Sequence, residues 1–89
     1  MITGINQRDY ERIAHRANIR VLTSPETEVV LEMRDFSKTG MFLFCTDEVT
    51  VELGNRVEVQ TLEIDDAPIL LSEVVRVEPN IGFALKFLF

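Results

Sequence analysis

The sequence is poor in the residues that build disulfides, metal sites and membrane spans. Its 89 residues include one cysteine and one histidine, which is too few for an internal disulfide or a zinc site. No apolar run approaches the roughly 20 residues that cross a bilayer. Residues 1–6 also lack the basic start and apolar stretch of a signal peptide. We therefore expect a cytoplasmic protein with no membrane insertion, no metal and no cofactor.

Catalytic arrangements are equally scarce. The lone thiol, Cys45, lies inside the apolar run 41–45, where a cysteine is typically a small buried hydrophobe and not a nucleophile. The lone histidine, His15, stands between two arginines and is interpreted as a spacer. The carboxylates are scattered along the chain, so they favour solvation over acid–base chemistry. The sequence thus predicts a protein that is not an enzyme.

Charge is distributed unevenly along the chain. The net charge is −6, yet the first 20 residues hold four arginines against two acidic residues. The acidic remainder argues against nucleic-acid binding, because phosphate backbones are held by dense positive charge. A basic segment on an acidic protein suits a small anionic ligand instead.

Hydrophobic periodicity predicts an all-β protein behind a short N-terminal segment. Residues 6–17 carry a helical spacing in Tyr10, Ile13, Ala14 and Ala17, although so short a segment is also consistent with a flexible arm. From residue 19 the pattern is of strand type, with alternating apolar residues and turn signals at Pro25, Gly54, Pro68 and Asn80. We expect an N-terminal arm over 1–18 and a barrel domain over 19–89, in one domain overall.

Six short strands are predicted in that barrel domain. They are residues 19–22, 29–34, 41–45, 57–62, 69–77 and 83–89. No strand–helix–strand alternation is present, so a dinucleotide-binding α/β fold is disfavoured. A closed antiparallel barrel is the natural way for so many short strands to hide their edges.

Two short motifs stand out against this background. The first is an Arg-x-x-x-Arg spacing formed by Arg12 and Arg16. The second is the Asp-x-Ser-x-x-Gly turn formed by Asp35, Ser37 and Gly40. Each has an ordinary explanation by itself, the first as the solvated face of a short helix and the second as a side-chain-capped turn.

Taken in this order, and followed by a β-rich chain of this size, the two motifs resemble the PilZ domain family. The strand 73–77 and the closing segment 81–87 are also similar to that family. The resemblance implies a six-stranded antiparallel barrel that binds cyclic di-GMP, a bacterial second messenger. It also implies that Arg12, Arg16, Asp35, Ser37 and Gly40 contact this ligand.

These residue types fit that ligand on physical grounds. An arginine fork bonds guanine O6 and N7 together or grips a phosphate with two bonds. A carboxylate such as Asp35 accepts from the guanine amino group, and Ser37 donates to a phosphate. Gly40, which has no Cβ, permits a positive φ or a close approach of the ligand to the backbone. Arg8 and Arg76 are secondary candidates, for which a solvated surface role is the ordinary alternative.

The resemblance implies a receptor or adaptor that changes its surface on nucleotide binding and so regulates a downstream protein partner. The alternative is an interaction module of the same fold that does not use the nucleotide. Glu11, directly before Arg12, disfavours a doubly stacked anionic ligand and favours one ligand molecule per chain.

Overall fold

The computed structural model describes residues 13–24, 26–45 and 51–89. They form strands β1 (Ile13–Ser24), β2 (Thr27–Phe36), β3 (Gly40–Phe44), β4 (Arg56–Thr61), β5 (Leu70–Glu78) and β6 (Gly82–Phe87). The strands close into a barrel in the order β1-β2-β3-β6-β5-β4, and every neighbouring pair is antiparallel. The prediction of a six-stranded antiparallel barrel is confirmed. No helix in the described ranges is long and apolar enough to cross a membrane.

Alternating apolar side chains fill the barrel. Every strand contributes to one buried cluster, made of Ala17, Ile19, Val21, Met33, Met41, Leu43, Val57, Val59, Val74, Phe83 and Leu85. Inward residues at every second position are what a sheet with one buried face requires. The turns also follow local rules, since Gly54, Asp66 and Asn80 adopt positive φ angles of 88°, 60° and 64°, which glycine, aspartate and asparagine tolerate best.

The helical interpretation of residues 6–17 is wrong over residues 13–17, which belong to β1. That strand pairs with β2 as far as Ile13, opposite Phe36, so it begins six residues before the predicted first strand at residue 19. Ile13, Ala17, Ile19 and Val21 also fit a period of two, and a short helix has little stability alone. Pairing with a neighbouring strand therefore outweighs the local helical spacing. Residues 6–12 lie outside the described residues.

Candidate functional site

The outer face of β3 carries an aromatic side chain that is completely buried. Phe42 alternates with Met41 and Leu43, which belong to the barrel core, so it points away from the interior. Its relative exposure is nevertheless 0%. Phe44, two residues on, meets it edge-to-face with ring centroids 6.2 Å apart. A buried phenylalanine on the outside of a barrel needs a cover, and arginines supply it.

Three arginines from three strands lie over these two rings. The guanidinium carbon of Arg34 is 3.9 Å from the ring centroid of Phe42, and that of Arg76 is 5.7 Å from the same centroid. Arg16 lies 4.8 Å from the ring centroid of Phe44. These distances are within the roughly 6 Å range of cation–π attraction. We call Arg16, Arg34 and Arg76 the arginine cluster; it spans β1, β2 and β5.

Irregularities in the sheet aim these side chains outward. In the β2–β3 ladder Met33 pairs with Leu43 and Asp35 pairs with Phe42, which leaves Arg34 as an extra residue. Arg34 follows the inward Met33 and so already points outward, and the bulge brings Asp35 to the same outer face, opposite Phe42. A second bulge at Val75 does the same for Arg76 on β5. Bulges commonly redirect a side chain beside a functional site.

Each arginine of the cluster has an acidic partner. The pairs are Arg16 Nη1 to Glu32 Oε1 at 3.0 Å, Arg34 Nε to Asp35 Oδ2 at 2.7 Å, and Arg76 Nε to Glu78 Oε2 at 3.0 Å. The Asp35 side chain is 15% exposed, against 48% for Glu32. Asp35 is therefore held in the most enclosed of the three pairs, while the Glu32 pair lies in solvent and is weak.

The Ser37–Gly40 segment forms the tight turn that leads from β2 into β3. The Ser37 amide donates to the Gly40 carbonyl at 2.8 Å, and the Thr39 amide donates to Ser37 Oγ at 3.2 Å. Ser37 is buried. A Cβ on Gly40 would overlap the carbonyl oxygen of Leu85 on β6. Gly40 does not adopt a positive φ, and its missing Cβ instead permits close approach of β6 to β3.

The predicted site residues are distributed as follows. Arg16, Asp35 and the secondary candidate Arg76 lie together on the outer face, in or beside the arginine cluster. Ser37 and Gly40 shape the turn at the start of β3. Arg8 and Arg12 lie outside the described residues.

His15 lies on the other side of β1 from Arg16. Its Nε2 is 2.8 Å from Glu63 Oε2, and its ring meets Phe36 edge-on at 6.3 Å between centroids. Both rings line an apolar cavity of about 480 Å³ at one end of the barrel, which shares no lining residue with the arginine cluster. The histidine between the two motif arginines is thus a residue of the cavity and not of the cluster. No group of three or more His, Cys, Asp or Glu side chains in the described ranges is placed to hold a metal.

Sequence reasoning missed three residues of this surface: Arg34, Phe42 and Phe44. The alternating pattern of residues 29–34 puts Arg34 on a polar strand face, and the run 41–45 that holds both phenylalanines is apolar throughout, so neither pattern indicates a ligand surface. The adjacency of Arg34 to Asp35 was the available signal. The bulge that makes them neighbours on one face has no signature in the sequence.

Comparison with known proteins agrees with this architecture. The family model of the PilZ domain matches residues 6–89, which confirms the resemblance drawn from the two motifs. No curated protein matches the chain.

Two solved structures share the fold. The PilZ domain of CeSA from a cellulose synthesizing bacterium is 16% identical, with a TM-score of 0.72 over 89% of this chain and 81% of that one. The Bacillus subtilis inhibitor of motility, MotI/DgrA, is 18% identical, with a TM-score of 0.68 over 93% of this chain and 43% of that one. This chain therefore corresponds to less than half of the motility inhibitor.

Proposed function

The chain belongs to the PilZ domain family, and we propose that it is a receptor for cyclic di-GMP that regulates a partner protein. The observation that carries this proposal is the arginine cluster over Phe42 and Phe44, with Asp35 at its edge. Cyclic di-GMP presents two phosphates and two guanines, and this surface offers groups suited to both.

The arginines serve the phosphates and the guanine edges. Arg16 is the most exposed of the cluster, with 63% of its side chain open to solvent. Its pair with Glu32 is therefore weak enough for a phosphate to displace the carboxylate. Arg76 reaches the same surface from β5. Arg8 and Arg12 belong to the proposed site as further positive charge from the N-terminal segment.

The second motif supplies the guanine acceptor and the turn that holds it. Asp35 accepts from guanine N–H groups. Ser37 fixes the turn through Thr39 and offers its hydroxyl to a phosphate. Gly40 keeps β3 close against β6, and so keeps Phe42 under the arginines.

Regulation would follow from a change of ion pairs at the arginine cluster. When a phosphate replaces Glu32 or Glu78, those carboxylates are released on β2 and β5 and the local surface charge changes. A partner protein that reads this surface would distinguish the bound from the free state. The structural neighbour that inhibits motility supports an adaptor of this kind. A receptor needs no chemical step, and we assign none.

Isothermal titration with cyclic di-GMP, with GTP as the control ligand, tests the proposal. We expect saturable binding of cyclic di-GMP alone, one molecule per chain. Arg16→Ala and Arg12→Ala should each weaken it by about tenfold or more, since each removes charge-assisted contacts worth about 1.5–3 kcal/mol.

Arg56→Ala is the matched control. Arg56 lies on β4, three strands from β3 in either direction around the barrel, and its variant should bind like the wild type. Absence of heat and of thermal stabilisation with the wild-type protein would contradict the receptor function and leave an interaction module that does not use the nucleotide.

A further inference from the structure

Arg34 makes two directional contacts at once, and neither motif contains it. Its guanidinium lies over Phe42, with the guanidinium carbon 3.9 Å from the ring centroid. From that position its Nε donates to Asp35 Oδ2 at 2.7 Å. The contact with the ring limits where the guanidinium can lie, and the hydrogen bond ties it to one oxygen of the adjacent carboxylate.

The support beneath Arg34 is rigid. Phe42 is fully buried and lies between Asp35 on β2 and Ala84 on β6 in the strand pairing. The bulge places Arg34 and Asp35 side by side on one face. Phe42, Arg34 and Asp35 therefore form one unit, in which the aromatic ring orients the arginine and the arginine orients the carboxylate.

We propose that Arg34 is a positioning residue that sets the specificity of the site for guanine. It holds Asp35 at the angle at which the carboxylate accepts from the guanine 2-amino group. This inference rests on the proposed function, because it assigns a role within the same site. Arg34 acts through Asp35 and need not touch the ligand.

Only an arginine meets both demands of this position. A lysine keeps the charge but has a compact ammonium, which neither stacks as a plane on Phe42 nor presents a fixed N–H direction to Asp35. Arg34→Lys therefore preserves the charge of the surface and removes the orientation. A leucine in place of Phe42 would keep most of the apolar volume and remove the stacking face.

The distinguishing probe is cyclic di-IMP, which differs from cyclic di-GMP in lacking the guanine 2-amino group. Loss of one hydrogen bond to a charged acceptor typically weakens binding by about tenfold or more. We expect the wild-type protein to bind cyclic di-GMP about tenfold or more tightly than cyclic di-IMP by isothermal titration. Arg34→Lys should reduce that ratio to about threefold or less, chiefly by weakening the binding of cyclic di-GMP.

Three further variants complete the experiment. Asp35→Ala removes the acceptor and should abolish the preference, and adding Arg34→Lys to it should reduce the ratio no further, because both act on one contact. Arg56→Lys on β4 should leave the ratio at the wild-type value. Thermal unfolding of each variant accompanies the titrations.

The possible results distinguish failure of this inference from failure of the proposed receptor function. If Arg34→Lys weakens both nucleotides equally, Arg34 serves only stability or charge, and the inference is overturned while the receptor function stands. The inference is also overturned, and the receptor function stands, if the wild-type protein binds cyclic di-GMP and cyclic di-IMP with equal affinity. If the wild type binds neither, the receptor function itself fails and the inference fails with it.

Discussion

Arg34 lies across the ring of Phe42, with 3.9 Å between its guanidinium carbon and the ring centroid, while its Nε binds Asp35. Phe42 is completely buried although it lies on the outside of the barrel, where a sheet usually presents polar side chains to water. The arrangement links a structural need, covering an aromatic ring, to a functional one, collecting positive charge around a carboxylate.

Phe42 should behave as a core residue although it points outward. Truncation by Phe42→Ala removes a ring of 0% exposure, for which the free energy of unfolding typically falls by about 3–5 kcal/mol. Phe89→Ala, at a side chain that is 90% exposed, should change it by about 0.5 kcal/mol or less. Denaturant unfolding of both variants checks this, and equal losses would show that the arginines do not exclude water from Phe42.

Removing the acidic partner of Arg16 should strengthen binding of cyclic di-GMP. Glu32 competes with a phosphate for the same guanidinium, to which it is bound at 3.0 Å. Because exposed ion pairs contribute about 0.2–1 kcal/mol, Glu32→Gln should raise the affinity by up to about fivefold. Titration at low salt measures the effect, with Glu58→Gln on β4 as the control. Weaker binding by Glu32→Gln would mean that Glu32 orients Arg16 for the ligand and does not compete with it.

Gly40 should be required for the stability of the fold, whether or not it also contacts the ligand. An added Cβ meets the backbone of Leu85 on β6, and backbone cannot move aside as a side chain can. We expect Gly40→Ala to lower the free energy of unfolding by about 3 kcal/mol or more, at or above the upper end of overpacking costs. Gly54→Ala, where the added Cβ meets open space at a φ of 88°, should lower it by about 1 kcal/mol. If thermal unfolding showed Gly54→Ala to be the less stable of the two variants, the close approach of β3 to β6 would be contradicted.

Binding should weaken steeply with ionic strength, and Arg16 should carry part of that dependence. The side chain of Arg16 is largely in solvent, so added salt screens its attraction for a phosphate. Titrations of the wild type and Arg16→Ala between about 0.05 and 0.5 M salt should give a shallower slope for the variant. If the affinities of the wild type and Arg16→Ala fell equally steeply with salt, the ligand phosphates would not lie beside Arg16.

The barrel was predictable because local and tertiary preferences agree over most of the chain. Val57 and Val59 alternate with polar residues, and Asn80 marks a turn by its tolerance of positive φ. The N-terminal part of β1 was not predictable in the same way. Its residues fit two periods, and strand pairing with β2, which the sequence does not display, decides between them.

The candidate site was predictable by residue type and only partly by position. The motifs led to Arg16 and Asp35, which the structure places on the same outer face. Arg34 and Phe42 escaped because the sequence does not show that β2 pairs with β3, and that pairing places them side by side on the outer face. The bulge that adds Asp35 to the same face has no signature in the sequence either. The ligand roles of all the predicted site residues remain predictions: Arg12, Arg16, Asp35, Ser37 and Gly40, with Arg8 and Arg76 as secondary candidates.

The most direct test of the central claim is an NMR titration of the ¹⁵N-labelled protein with cyclic di-GMP, following backbone amides and arginine Nε–H groups. The account predicts that the largest shifts fall on Arg16, Arg34, Asp35 and Arg76 and on the amides of Phe42 and Phe44. The amides of β4 and the arginine Nε–H of Arg56 should stay in place. Shifts centred on β4 or on the apolar cavity near His15, or no shifts at saturating nucleotide, would contradict the assignment of the arginine cluster as the cyclic di-GMP site.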